Sequence, residues 1–124
     1  MANPVVHFEI MSKQSDGLKR FYSDVFGWSF HSALGANAEC KDAIEYFLVD
    51  RNGDGGIAGG IGSAPQGYDG HVTFYIGVEK IEDALAVIDK HGGSTMMGPE
   101  QVPGGPRIAL FRDPEDHVIG LVQI

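Results

Sequence analysis

Cysteine is nearly absent from this chain. Cys40 is the single one, so no internal disulfide can staple the fold. A catalytic thiolate at Cys40 would need a nearby histidine or cation that the sequence does not identify. Basic residues are also scarce: nine Lys and Arg stand against 17 Asp and Glu, for a formal net charge of −8. Without a lysine or arginine run, the chain lacks the electrostatic footprint of a nucleic-acid or anionic-membrane binder. No apolar stretch approaches the length of a membrane span. No charged-plus-apolar leader opens the sequence, so a cytoplasmic location is the expectation. Gly55, Gly56, Gly59, Gly60 and Gly62 cluster, but neither Lys-Ser/Thr nor a helix start follows them, which excludes a phosphate loop.

Glycine, by contrast, is plentiful, at 18 of 124 residues. It implies many tight turns, or strands that something approaches closely. With 43% hydrophobic residues, the length suits one soluble domain, or one domain built of two halves. Val5 to Met11 alternates: Val6, Phe8 and Ile10 fall on an apolar face, and Val5, His7, Glu9 and Met11 on a mixed one. Leu18, Phe21, Tyr22, Val25 and Phe26 then recur at helical spacing, with Ser15 or Asp16 to cap the start and Gly27 to close the end. Strands are expected at Trp28–Ser32, Ile44–Asp50 and Gly56–Gly62, with loops at Ala33–Asp42 and Arg51–Gly55. "SAPQGYD", residues 63–69, reads as a linker.

After the linker the order repeats. Gly70–Gly77 is a strand with Val72, Phe74 and Ile76 on the expected core face and His71, Thr73 and Tyr75 on the other. Ile81, Ala84, Leu85 and Ile88 make a second helical stripe ending at Gly92-Gly93. Ser94–Met97, Arg107–Arg112 and Val118–Gln123 complete the set. The spacing from His7 to Gly27 nearly equals that from His71 to Gly92, the mark of an internal duplication. The expected fold is therefore α+β: two βαβββ modules, residues 4–62 and 70–124, joined by the linker 63–69. They form a curved mixed sheet around a cleft, with the helices outside. His7 and His71 occupy equivalent strands and point into that cleft.

Several residues carry chemistry in this pattern. His7 and His71 read as a metal-ligand pair, a substrate-binding pair, or a hydrogen-bonded pair in a polar cleft. Glu9 shares the strand face of His7, roughly 6.5–7 Å along it. It suits a substitute carboxylate ligand, a general base, or the partner of a cation such as Arg107. Tyr75 and Thr73 share a face with His71, and Tyr46 lies on a neighbouring strand; all three are substrate-binding candidates. Arg107 is a candidate for an anionic ligand.

The motifs "VVHFEI", "FYSDVFGW", "GHVTFYIGV" and "IALFRDPEDHVIGLVQI", in this order and spacing, resemble the vicinal oxygen chelate superfamily. That group holds glyoxalase I, bleomycin-resistance proteins and extradiol dioxygenases, and the resemblance spans nearly the whole chain. It implies a divalent ion held by residues from the first and last strand of each module. The first-strand positions match His7 and His71. The last-strand positions, which carry glutamate in glyoxalase I, fall here on Gly120 and on Gly60, with Gly59 the alternative register. Glycine supplies neither ligand nor base, so the implied metal set is incomplete.

The expected function is accordingly a glyoxalase/bleomycin-resistance/dioxygenase-like enzyme acting on a small molecule in the cleft, with no substrate assigned. Efficient lactoylglutathione lyase activity is not expected. The alternative is a dimeric protein that binds a small, antibiotic-type molecule without chemistry. A homodimer is expected in either case.

Overall fold

The computed structural model describes residues 2–33, 45–50 and 56–124. Among them lie eight strands and two helices, in the order β-α-β-β-β and again β-α-β-β-β. The first set is β1 (Val5–Ser12), α1 (Ser15–Phe26), β2 (Phe30–Ser32), β3 (Tyr46–Val49) and β4 (Ala58–Ser63). The second is β5 (His71–Val78), α2 (Ile81–Lys90), β6 (Ser94–Gln101), β7 (Arg107–Arg112) and β8 (Val118–Gln123). The strands at 107–112 and 118–123 fall where periodicity puts them, whereas β2 begins two residues late and β6 runs on to Gln101. Cys40, Ile44 and the loop at 51–55 lie outside the described residues. No helix among the described residues is long and apolar enough to cross a membrane.

The chain divides into two compact units, residues 7–72 and residues 1–6 with 73–124. In the unit of residues 7–72 the strand order is β2-β3-β4-β1. Here β4 runs parallel to β1, and β3 pairs antiparallel with both β4 and β2. Ile61 is fully buried, and around it the interior is made of Glu9, Ser15, Gly59, Gly60 and Gly62. Helix α1 keeps its amphipathic spacing, yet Phe21, Val25 and Phe26 stay exposed, the last at 61%. Tyr22 stacks instead on Trp28, with ring centroids 4.9 Å apart. The expected cap at Ser15 or Asp16 is not formed. Gln14 is the N-cap, without a side-chain bond, because the Ser15 hydroxyl bonds Ser63 Oγ at 2.7 Å. The C-terminus closes at Gly27 (φ 72°), whose N–H reaches the Ser23 carbonyl.

In the other unit the order is β5-β8-β7-β6, with β5 parallel to β8 and the remaining pairs antiparallel. Its core is conventional: Val78, Ile81, Leu85, Ala109, Phe111 and Leu121 are buried, with Ile76, Ala84, Ile88 and Ile119 packed round them. Ile81 and Leu85 are the buried residues of α2, so this stripe does face its sheet.

The face assignment of β5 holds at Ile76, which packs on the core, but requires correction in the first half of the strand. Alternation holds, but Thr73 and Tyr75 are buried, while Val72 is 78% exposed and Phe74 is exposed too. Two contacts reverse the expected preference. The Thr73 hydroxyl donates to the Val118 carbonyl at 2.6 Å. The Tyr75 ring lies where a Cβ at Gly120 would stand. Glycine on β8 opens room for an aromatic ring that no branched side chain would leave.

Candidate functional site

Strand β1 is parallel to β4 with His7 opposite Ala58, Glu9 opposite Gly60 and Met11 opposite Gly62. The two glycines matter for what lies over them. The Tyr46 ring covers both, so that a Cβ at either position would meet it. Seated there, Tyr46 brings its hydroxyl to 2.9 Å from Nε2 of His7. Burial pushes the His7 imidazole below its ordinary value of 6.5, against the opposing pull of the Glu9 carboxylate. In the neutral His7 ring Nε2 is either donor or acceptor, and the Tyr46 hydroxyl can serve as the partner of either tautomer.

Glu9 is only 6% exposed. Burying a carboxylate is costly unless it is paired and hydrogen-bonded, and its partner is His71. Nε2 of His71 stands 2.7 Å from Oε2 of Glu9, and both side chains are nearly closed off from water. The other ring nitrogen of His71, Nδ1, is 2.6 Å from the hydroxyl of Tyr68. An ionised carboxylate can only accept, so Nε2 carries the hydrogen toward Glu9. In the neutral tautomer with its hydrogen on Nε2, Nδ1 is an acceptor and the Tyr68 hydroxyl donates to it.

Local backbone chemistry sets this up. Pro65 to Tyr68 is a turn closed by the Tyr68 N–H on the Pro65 carbonyl at 3.0 Å, with Gly67 at φ 88° in its third position. Gly70 follows at φ 98°, where the Met11 carbonyl presses into the space that a Cβ would take. Lys13 holds the intervening Asp69 at 2.9 Å. The stretch "YDGH" is thereby folded so that Tyr68 meets His71 three residues on.

His7, Glu9, Tyr46 and His71 thus lie in the unit of residues 7–72, joined by Tyr68. Sequence reading left Tyr68 in the linker. The available signal was a tyrosine three residues ahead of a candidate histidine, bracketed by Gly67 and Gly70. Thr73, Tyr75 and Arg107 lie in the other unit. Thr73 is bonded to backbone and Tyr75 is packed on Gly120. Arg107 is engaged by the Glu82 carboxylate of α2 and by Gln123 at 3.2 Å. That pairing holds the Glu82 carboxyl below the usual range and raises Arg107 above its own.

The glycines at the expected carboxylate positions can be counted by register. Four residues beyond His71, Tyr75 pairs with Gly120; four residues beyond His7, Met11 pairs with Gly62. By this count the counterpart of Gly120 is Gly62, two residues past Gly60. All three positions are roofed by a tyrosine ring.

The donor set does not fit a divalent ion. Among the described residues no three His, Cys, Asp or Glu side chains gather as a metal-holding group. Both ring nitrogens of His71 are hydrogen-bonded within the protein, and Nε2 of His7 is bonded to Tyr46. Tyrosine rings fill the space that a carboxylate at 60, 62 or 120 would need.

A β-α-β-β-β order met twice, with mixed strand pairing, defines an α+β protein of glyoxalase-like fold. The chain belongs to the Glyoxalase/Bleomycin resistance protein/Dioxygenase superfamily, whose profile matches residues 5–121. Solved structures with the same fold include a Streptomyces coelicolor methylmalonyl-CoA epimerase variant in complex with 2-nitronate-propionyl-CoA. It is 16% identical, with a TM-score of 0.67, and the match covers 99% of this chain and 98% of that one. The methylmalonyl-CoA epimerase of Mycobacterium tuberculosis matches at 13% identity and TM-score 0.66, covering 96% and 86%. A hypothetical protein from Bacillus halodurans matches at 13% identity and TM-score 0.71, covering 100% and 96%. At these identities the likeness is one of fold. A search of curated proteins returns no match to this chain.

Proposed function

We propose that this protein is a small-molecule enzyme that works by acid–base chemistry at the Glu9–His71 pair. The observation that carries the reading is the buried carboxylate–imidazole contact of 2.7 Å between them. Buried carboxylate–histidine pairs are a recurrent means of setting proton affinity and orientation in enzymes. The reaction class is removal and return of a proton next to a carbonyl group. Epimerisation of a CoA thioester, named for the structural neighbours, is one instance. His7 and Tyr46 belong to the same site as a hydrogen-bonding pair that a substrate oxygen can join. Efficient lactoylglutathione lyase activity is not part of the proposal, since that chemistry rests on a metal ion and the donor set here does not fit one. The reading also includes a cytoplasmic homodimer, with exposed Phe21, Val25 and Phe26 as apolar surface suited to association.

One observation favours a second reading, a dimeric binding protein without chemistry. His71 and the His7 imidazole have partners within the protein already, as an inert site would. Deuterium exchange separates the two. Wild-type protein is incubated in D2O with a panel of acyl-CoA thioesters and 2-substituted carbonyl acids. Deuterium entering the carbon next to the carbonyl, followed by proton NMR, is the expected result, and Glu9→Gln should lose it. A compound retained on a dimer, sized by light scattering, without exchange of any panel member would move the assignment to the binder.

A further inference from the structure

We infer that Tyr68 is a catalytic residue of this site, the hydroxyl through which the Glu9–His71 pair reaches its substrate. The inference rests on the acid–base reading above. The Tyr68 hydroxyl, the His71 imidazole and the Glu9 carboxylate form one hydrogen-bonded chain, with links of 2.6 and 2.7 Å. This is the logic of a hydroxyl–histidine–carboxylate triad, with a phenol in the place of an alcohol. Glu9 is the closed end, 6% exposed. Tyr68 is half-buried and sits on a turn rather than inside a strand. The chain thus runs from a buried carboxylate to a half-buried phenol on a turn.

The chemistry balances without any added reagent. A substrate proton passes to the Tyr68 oxygen as the phenolic proton passes to Nδ1 of His71. The substrate keeps the electron pair of the broken bond and becomes an anion. His71 becomes an imidazolium, and the Glu9 carboxylate at Nε2 compensates its charge. Reversal returns a proton to the substrate on the face from which it left. A free phenol titrates near ~10, so little phenolate exists at neutral pH; a concerted transfer to His71 removes the need for it. Glu9 is then a positioning residue that fixes the His71 tautomer, and His71 is the base. Both roles differ from those expected for a metal site.

Activation of Tyr68 can be tested without knowing the substrate, by labelling with an aryl sulfonyl fluoride. The phenol oxygen bonds to sulfur, fluoride leaves, and the phenolic proton goes to His71. Peptide mass spectrometry of the native wild-type protein should place the label on Tyr68, about 10-fold or more faster than on Tyr22, Tyr46 or Tyr75, within the range of general-base assistance. Glu9→Gln keeps an acceptor for Nε2–H but removes the charge, and should slow labelling about 10-fold at unchanged melting temperature. His71→Asn should slow it at least as much, and Tyr68→Phe should abolish it without transfer to another tyrosine. Labelling of Tyr68 no faster than of the other tyrosines, or at one rate in wild type, Glu9→Gln and His71→Asn, would overturn the inference. Selective labelling with no deuterium exchange on any carbonyl compound would keep the triad and reject the carbonyl substrate class. Exchange that survives Tyr68→Phe would do the reverse.

Discussion

The two units share an element order and differ in what they bury. The unit that holds α2 buries Val78, Ile81, Leu85, Ala109, Phe111 and Leu121. Among its described residues, the unit of residues 7–72 buries a glutamate, a serine and three glycines around one isoleucine, and leaves much of the apolar stripe of α1 in water. A repeat with one interior made for packing can give its other interior to polar groups.

The largest expected effect tests that division directly. Ile81→Ala, at a fully buried position, should cost about 2–5 kcal/mol in urea unfolding. Phe26→Ala removes a larger side chain from the other helix and should cost about 1 kcal/mol or less, its exposed ring being only partly stacked. Equal losses would remove the distinction between the two interiors.

Next comes the tyrosine-roofed glycine. Gly120→Glu drives a Cβ into the Tyr75 ring and should cost about 1–3 kcal/mol by overpacking. It should bring no gain in nickel or zinc affinity by calorimetry until Tyr75 is also cut back to Ala. Tight metal binding by the single variant would mean that the ring moves aside freely.

The smallest effect is a pH dependence. His7 is depressed in the folded state below an ordinary value of 6.5. Above that pH neither state holds the proton and His7 contributes no slope. Below it the unfolded chain takes the proton first, so stability falls with pH until the folded value is passed. His7→Gln should flatten the part of the stability profile that lies below pH 6.5. An unchanged slope in the variant would assign the acid sensitivity to other groups.

Much of the architecture is legible in the sequence because periodicity is a local signal. Ile81, Ala84, Leu85 and Ile88 announce α2, and the β7 and β8 runs announce themselves by length and turn. The burial of Thr73 and Tyr75 on β5 was not legible. Alternation tells which residues share a face, but not which face closes. That choice depends on Gly120, which pairs with Tyr75 from 45 residues away. Glu9 and His71 were legible as candidates, whereas their contact was not, since it needs the fold of "GYDGH" across Met11. Tyr68 was missed because composition alone marks its neighbourhood as a turn, and a turn can also deliver a side chain.

The Tyr75 ring on Gly120 has a bearing on the history open to this chain. A glycine codon reaches a glutamate codon by one base change, so on paper a carboxylate is one step away. Sterically the step is blocked while the tyrosine stands, and removing the tyrosine first empties a buried site. Each change is unfavourable alone and tolerable only with the other, the signature of strongly coupled positions. Two amino acids that never react with anything thus act as a ratchet, separating this sequence from metal-binding relatives by a valley rather than a slope.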